Sequence, residues 1–230
     1  MFHFSAKHFF LLNIFFLTAC AAKNGNMNNT AGVQFLVADT TNNAGAKRDR
    51  ESIKHFSTLA RQINLDDITK GAGDLEIRAW YSFAFSNEEE LYSIKFIDSV
   101  CTLSYHRLYM HSYDFDDSAH KKWNPITAPV PDSFISKTVL LEKPGLSELH
   151  TGSIWNLKSQ SELNIPDSIG FTDCDSYSIE IADKTRYKFM RYHCPDGYYN
   201  KTGRKEIKDF LHVFNYVRLL AEKYRAKIPY

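Results

Sequence analysis

Residues 177–192, which read YSIEIADKTRYKFMRY, decide the fold. In residues 177–181 apolar and polar side chains alternate, and residues 187–192 are rich in the aromatic types that strands favour. Between them stands Asp183-Lys184-Thr185, a composition typical of turns. Two such strands joined by so short a turn predict a β-hairpin.

The segment after the hairpin predicts a long helix. Pro195-Asp196-Gly197 ends the second strand. Residues 203–225 then place apolar side chains on one face at helical spacing, which favours an amphipathic carboxyl-terminal helix packed on the sheet. The members of this apolar face are Ile207, Phe210, Leu211, Phe214, Val217, Ala221 and Tyr224.

The segment before the hairpin predicts a helix followed by strands. Apolar residues recur at helical spacing in residues 49–63, which predicts a first amphipathic helix. Residues 75–85, 91–97 and 100–105 are rich in β-branched and aromatic types and predict an antiparallel meander, with a polar turn at 87–90. The short apolar segment 33–37 is a candidate for a docked strand.

The middle of the chain gives weaker signals. Residues 113–136 contain three prolines and no periodicity, which predicts a long loop. Residues 138–142 predict one more strand, and 153–163 predict a middle helix. Because strands and helices occur in separate runs, we expect an α+β fold with an antiparallel sheet, formed as one domain by residues 49–230.

The composition excludes several classes of protein. The chain has 230 residues, of which 43% are hydrophobic and 24% charged, as in ordinary globular domains. Its formal net charge is +1, and removal of residues 1–19 would take away one basic residue, Lys7. A neutral chain has no overall basic field, so we do not expect a nucleic-acid partner.

The amino terminus predicts a secretory signal in residues 1–19. One basic residue precedes an apolar run that is too short to span a bilayer, since a spanning helix needs ~20 residues. The segment ends in Leu17-Thr18-Ala19-Cys20, which resembles the lipobox of bacterial lipoproteins. An ordinary secretory signal with an incidental Cys20, or a retained apolar anchor, is the alternative interpretation.

The lipoprotein resemblance implies an address in the cell envelope. In that class the signal is cut before the cysteine, so Cys20 would carry a diacylglyceryl group and an amide-linked acyl chain. Two or more lipid chains give stable membrane attachment. The class also implies sorting to the outer membrane, because Ala21 rather than Asp follows Cys20. Residues 20–48, rich in Asn, Ala and Gly near their start, are expected to form the anchor and a flexible tether.

Three cysteines remain after Cys20. A turn at residues 183–185 places Cys174 and Cys194 at equal distances from Lys184, so the hairpin predicts a disulfide between them, with two buried reduced thiols as the alternative. Cys101 lies in an apolar strand, which favours a small core residue over a nucleophile.

The densest polar cluster runs from residue 106 to 120. His111, Asp114, Asp116 and His120 are candidate ligands of a divalent metal, with His106 and Asp117 beside them. Their spacing matches no metal motif, and solvated loop residues explain the cluster equally well. Trp123, in the same loop, is a candidate binding residue, whereas Trp80 and Trp155 are expected to pack in the core.

A basic stripe is predicted near the carboxyl terminus. Lys201, Arg204, Lys205 and Lys208 have the spacing of one helix face. Such a stripe is a candidate contact with anionic lipid head groups, and a solvated helix face is the alternative.

These features together predict a lipid-anchored envelope protein that acts as a binding or assembly module without its own catalysis. The expected partners are the membrane, through the amino-terminal lipid, and an envelope protein. No cofactor is expected, and motifs such as Gly-x-Ser-x-Gly are missing from the sequence. Two alternatives stay open: a metal-dependent or other hydrolase built on residues 106–120, and a purely structural envelope protein.

Overall fold

The computed structural model describes residues 32–37, 43–98, 100–110, 131–141, 153–166 and 169–225. Its strands are β1 (Gln34–Leu36), β2 (Leu75–Ser82), β3 (Glu88–Ile97), β4 (Val100–Met110), β5 (Pro131–Leu141), β6 (Ser176–Ala182) and β7 (Arg186–His193). Its α-helices are α1 (Ala44–Gln62), α2 (Pro195–Thr202) and α3 (Lys205–Arg225).

The strands form one seven-stranded sheet in the order β1-β7-β6-β2-β3-β4-β5. Helices pack on this sheet, so the fold class is α+β. The expectation of an antiparallel sheet needs one correction, because β1 pairs with β7 in parallel. The sheet is therefore mixed, and β1 joins it although residues 34–36 fall within the predicted tether.

The hairpin predicted from residues 177–192 corresponds to β6 and β7, which pair antiparallel from Ser176 opposite His193 to Ala182 opposite Tyr187. The side chain of Asp183 organises the turn. Its Oδ1 accepts hydrogen bonds from the backbone N–H groups of Thr185 and Arg186, both at 2.8 Å. An Asp that bonds the backbone two residues ahead is a common means of closing a turn.

Helix α1 covers one face of the sheet, called the α1 face below. The helix begins after Asn43, whose Oδ1 accepts a hydrogen bond from the N–H of Ala46 at 3.1 Å and caps the first turn. Phe56 stacks on the buried Trp80 of β2 with ring centroids 4.6 Å apart. This places Trp80 in the core, where the sequence predicted it.

Helix α3 packs on the opposite face, called the α3 face below. Its Phe210 lies 4.4 Å from the ring of Tyr192, and its Phe214 stacks on Tyr177 at 4.5 Å. Aromatic pairs of this kind add ~0.5–1.5 kcal/mol each beyond the burial of their area. The core of this layer joins α3 to strands β2, β3, β4, β6 and β7.

A short helix that the sequence did not predict precedes α3. Helix α2 starts at Pro195, the residue that we read only as the end of a strand, and proline is common at the first helical position. Gly203 ends α2 in the left-handed conformation, with φ of 61°. The predicted basic stripe is therefore divided: Lys201 lies in α2, whereas Lys205 and Lys208 lie in α3.

Three other expectations are wrong. Residues 153–163 form no continuous helix but two 3₁₀ turns, Ile154–Asn156 and Gln160–Glu162. Residues 88–90, expected in a turn, begin β3. Residues 131–136, expected in the long loop, form the first half of β5.

Candidate binding surface

The two edge strands of the sheet differ in how far their backbones are covered by other described parts of the protein, and the uncovered edge is the candidate site. At the β7 edge, β1 pairs with Arg186–Lys188. Beyond β1, the buried Ser159 accepts a hydrogen bond from the N–H of Arg191 at 3.0 Å, and Gln160 Oε1 accepts one from the N–H of His193 at 2.8 Å. The backbone of this edge is therefore covered by neighbouring groups.

A polar contact keeps this cover in place. Asp49 of α1 is buried, and the hydroxyl groups of Ser159 and Ser161 lie 2.8 and 2.5 Å from its Oδ2. Burial raises the pKa of Asp49, although the two serine hydrogen bonds oppose the shift. The side chain of Asn43 also donates to the carbonyl of Ser161 at 2.7 Å. Segment 159–161 is thus bonded to both α1 and β7.

At the other edge, no strand among the described residues pairs with the outer side of β5. Large apolar side chains are exposed along it: Phe134 is 42% exposed, Ile135 45% and Leu140 67%. Since neighbouring residues of a strand point to opposite faces, Phe134 and Leu140 lie on the α1 face and Ile135 on the α3 face. An exposed strand edge with apolar residues is a template for pairing with another chain.

The inner side of β5 is firmly attached. Antiparallel pairs run from Cys101 opposite Leu141 to Tyr109 opposite Ser133. Two side-chain contacts on the α1 face add to them: Ser104 and Thr138 hydroxyls are 2.9 Å apart, and His106 Nδ1 lies 2.6 Å from Ser136 Oγ. The candidate surface from Ser133 to Leu141 is therefore held by continuous pairing, and the register shifts only beyond it, between Tyr109 and Met110.

His106 is the one member of the predicted 106–120 cluster that the structure describes. It is buried, and burial lowers its pKa to about 4, with a smaller contribution from the charge of Arg78. Its Nε2 is buried with no hydrogen-bond partner among the described residues. A histidine with so low a pKa is a weak general base at pH 7, because an efficient base has a pKa near the working pH.

The other predicted metal ligands, His111, Asp114, Asp116 and His120, lie outside the described residues, as does Trp123. Within the described ranges no group of three or more His, Cys, Asp or Glu side chains is placed to hold a metal. Met110 ends β4 and Pro131 begins β5 at the same end of the sheet, called the upper end below.

A cluster of tyrosines and carboxylates orders the upper end. Glu90 accepts hydrogen bonds from Tyr92 at 2.5 Å and Tyr105 at 2.9 Å. Asp196 accepts from Tyr177 at 3.0 Å, and burial together with this carboxylate raises the pKa of Tyr177 to about 12. The hydroxyls of Tyr92 and Tyr177, whose pKa values are raised, therefore stay protonated at neutral pH and act as donors.

The structure joins Cys174 and Cys194 in a disulfide, with Cα atoms 5.0 Å apart. The bond ties the segment before β6 to the start of α2 at the upper end. Cys101 is buried and free, and burial raises the pKa of its thiol to about 11. Its thiol is therefore a poor nucleophile at neutral pH.

The remaining predicted contacts are structural or lie elsewhere. Trp155 packs under the guanidinium of Arg186, whose Cζ lies 4.0 Å from the centroid of the indole ring. Of the predicted basic stripe, Lys205 pairs with Asp209 at 2.5 Å, and Arg204 donates to the carbonyl of Asn164 at 2.7 Å. Two of its four cations are thus engaged within the protein. Cys20 lies outside the described residues.

The sequence did not identify Phe134 and Ile135. Pro125, Pro129 and Pro131 and the lack of periodicity predict a loop over the whole segment 113–136. The signal was nonetheless present, because residues 133–141 are rich in β-branched and apolar types and are compatible with a strand that has proline at its first position.

Among the described residues, no helix is both long and apolar enough to cross a membrane. Comparison with known proteins finds no matching family model, no matching curated protein and no matching solved structure.

Proposed function

We propose that this protein is a lipid-anchored protein of the cell envelope that binds an extended segment of an envelope protein partner along β5, without catalysis of its own. The supporting observation is the contrast between the two sheet edges. The β7 edge is covered by β1 and by the side chains of Ser159 and Gln160. The β5 edge, within the described part of the chain, has no strand beside it.

The chemistry of β5 specifies the kind of partner. In strand addition, main-chain hydrogen bonds supply affinity, and side chains on the two faces supply specificity. Phe134 and Ile135 offer apolar surface on opposite faces, next to the exposed polar residues Ser133 and Ser136. The segment that fits is therefore an extended one with apolar residues at consecutive positions.

The proposal treats β2–β5 as an antiparallel meander backed by α3. The backing residues Leu103 and Tyr105 of β4 are buried in the layer that includes α3. A partner strand would thus add to a preorganised surface, and preorganisation lowers the entropic cost of binding.

The direction of the strands supports display away from the membrane. Residue Gln34 of β1 pairs with Arg186 and accompanies the 183–185 turn, at the end of the sheet opposite Pro131. A lipid on Cys20 would therefore hold the domain by the lower end, which contains this turn. Phe134 and Ile135 would lie near the upper end, where a partner outside the membrane has access.

The test is site-specific crosslinking in the native envelope. A photo-crosslinking residue replaces the exposed Ser133 in the lipidated full-length protein. We expect a discrete crosslinked product whose yield falls about tenfold or more when Phe134→Asp and Ile135→Asp are added, equivalent to ~1.4 kcal/mol of binding free energy.

The matched control is Leu219→Asp on α3, where the leucine is 57% exposed. This variant should leave the crosslinked product unchanged. A product that survives the two β5 substitutions, or that Leu219→Asp removes equally, would contradict strand addition at β5.

A further inference from the structure

The lower end of the sheet has an exposed apolar patch, formed by Ile97, Val100 and Leu140. Ile97 and Val100 are opposite each other at the tip of the β3–β4 hairpin, and both are about half exposed. Leu140 pairs with Thr102, two residues from Val100 on the same face. The register therefore brings the three side chains together on the α1 face.

Two basic groups near the patch, Lys184 and Lys95, are paired within the protein, whereas the exposed carboxylate of Asp98, next to Ile97, forms no ion pair among the described residues. Lys184 Nζ lies 2.8 Å from Asp74 Oδ1, and Asp74 Oδ2 accepts a hydrogen bond from the N–H of Asp98 at 2.9 Å. Lys95, on the strand beside Thr102, pairs with Asp66 at 2.8 Å. Paired charges lower the cost of bringing this end of the molecule against a surface of low polarity.

The patch lies at the same end of the sheet as the entry of the chain. One continuous row of the register runs from Phe35 through Tyr187, Ala182, Glu76, Lys95 and Thr102 to Leu140. Six strand spacings of ~4.8 Å separate the ends of this row by roughly 29 Å. The 12 residues 21–32 can span at most ~40 Å, which exceeds this separation. The tether therefore allows Cys20 and the patch to reach one flat surface together.

The small size of the patch favours contact with a lipid surface over contact with another protein. A stable protein interface buries ~800 Å² on each partner, far more than three side chains provide. A bilayer accepts a few apolar side chains into its head-group boundary and requires no matching shape.

We infer that Ile97, Val100 and Leu140 contact the lipid surface when the protein is anchored, and so fix the domain upright with its upper end away from the membrane. This inference rests on the proposed lipid anchor. The surface that these side chains contact is the bilayer interface itself, and neither a second copy nor a partner chain is required.

The test uses tryptophan fluorescence of the lipidated full-length protein in phosphatidylcholine–phosphatidylglycerol vesicles, with and without brominated acyl chains. Leu140→Trp places a reporter in the patch, and Leu219→Trp is the matched control on α3. The unsubstituted protein gives the background from Trp80, Trp123 and Trp155. We expect brominated lipid to quench the added fluorescence of Leu140→Trp and to leave that of Leu219→Trp unchanged.

Failure of the anchor and failure of the inference give different results. If the protein floats with the vesicles but the two tryptophan variants are quenched equally or not at all, the anchor stands and the patch contact is refuted. If mass spectrometry finds no lipid on Cys20 and the protein does not float with the vesicles, both are refuted.

Discussion

Glu180 is a fully buried carboxyl group at the centre of the sheet. Its two oxygens accept hydrogen bonds from Trp80 Nε1 and from the hydroxyl of Tyr187, both at 2.8 Å. Burial raises its pKa above the ordinary value of 4.5, and the nearby charge of Arg78 partly opposes the shift. The carboxyl group thus holds the side chains of Trp80 and Tyr187 in place, while burial of its negative charge destabilises the folded protein.

Replacement of Glu180 separates its hydrogen bonds from its charge. Glu180→Ala leaves two buried donors unsatisfied, at ~1–3 kcal/mol each, so we expect it to lower the free energy of unfolding by roughly 3 kcal/mol. Glu180→Gln should cost clearly less, because its amide oxygen still accepts from Trp80 Nε1 while its NH₂ group can donate to the hydroxyl oxygen of Tyr187. Urea unfolding at pH 7 measures both values, and an equal loss in the two variants would contradict this role.

The charge of Glu180 should also appear in the pH dependence of stability. Because its folded pKa is raised, the folded state binds the proton more tightly than the unfolded state. Its contribution therefore becomes less favourable as the pH rises from about 4.5 through the folded pKa. We expect Glu180→Gln to gain stability relative to the unsubstituted protein over that rise, and a constant difference would count against the raised pKa.

At the scale of elements, the disulfide closes the open end of the β6–β7 hairpin, just beyond the pair of Ser176 and His193. Cys174 precedes β6 and Cys194 precedes α2, at a sequence separation of 20. The bond closes this loop in the unfolded chain and so reduces the entropy of the unfolded state. The upper end, where the tyrosine–carboxylate cluster lies, depends on this connection.

Removal of the disulfide should destabilise the domain measurably. We expect Cys174→Ser with Cys194→Ser to lower the free energy of unfolding by ~3 kcal/mol, as loops of this length predict. Reduction of the unsubstituted protein should give a similar loss, while the double variant should not respond to reductant. A double variant as stable as the oxidised protein would contradict this expectation.

The sequence pattern predicted those elements in which the local preference of the residues for helix or strand agrees with the tertiary structure. The alternation in residues 177–181 identified β6, although both faces of this strand are buried and its polar residues Ser178 and Glu180 lie inside the protein. The first half of β5 was not predicted because Pro131 is typical of a loop. An edge strand tolerates proline at its first position, whereas a central strand does not. Helix α2 was not predicted because Pro195 is compatible both with the end of a strand and with the first position of a helix.

Tertiary contacts account for the other differences. Glu88–Glu90 looks like an exposed turn, yet Glu90 is buried in β3 because two tyrosines donate to it. The spacing of Ile154 and Leu157 fits a helix, yet both are buried from separate 3₁₀ and extended segments. The candidate surface on β5 depends on which edge the rest of the chain leaves uncovered, and no local pattern encodes that.

At the scale of the whole molecule, the proposed function requires attachment through Cys20. We expect Cys20→Ala to leave the membrane fraction after cell fractionation, because a lipid-modified cysteine supplies the stable attachment. Cys101→Ser serves as the control, since it changes a buried thiol and should leave attachment unchanged. Full membrane retention of Cys20→Ala would contradict the anchor.

The order of the sheet also has a consequence for how the chain folds. The central pairing of β2 with β6 joins residues that are far apart, such as Trp80 and Glu180, 100 residues apart in sequence. Long-range pairing costs loop-closure entropy before any contact repays it, and folding slows accordingly. Strands β2–β5 emerge first during synthesis and must wait for the last third of the chain. Until β6 is synthesised, the side of β2 that later pairs with β6 is an open strand edge. We therefore expect this half of the protein to be the part that most needs a chaperone during synthesis.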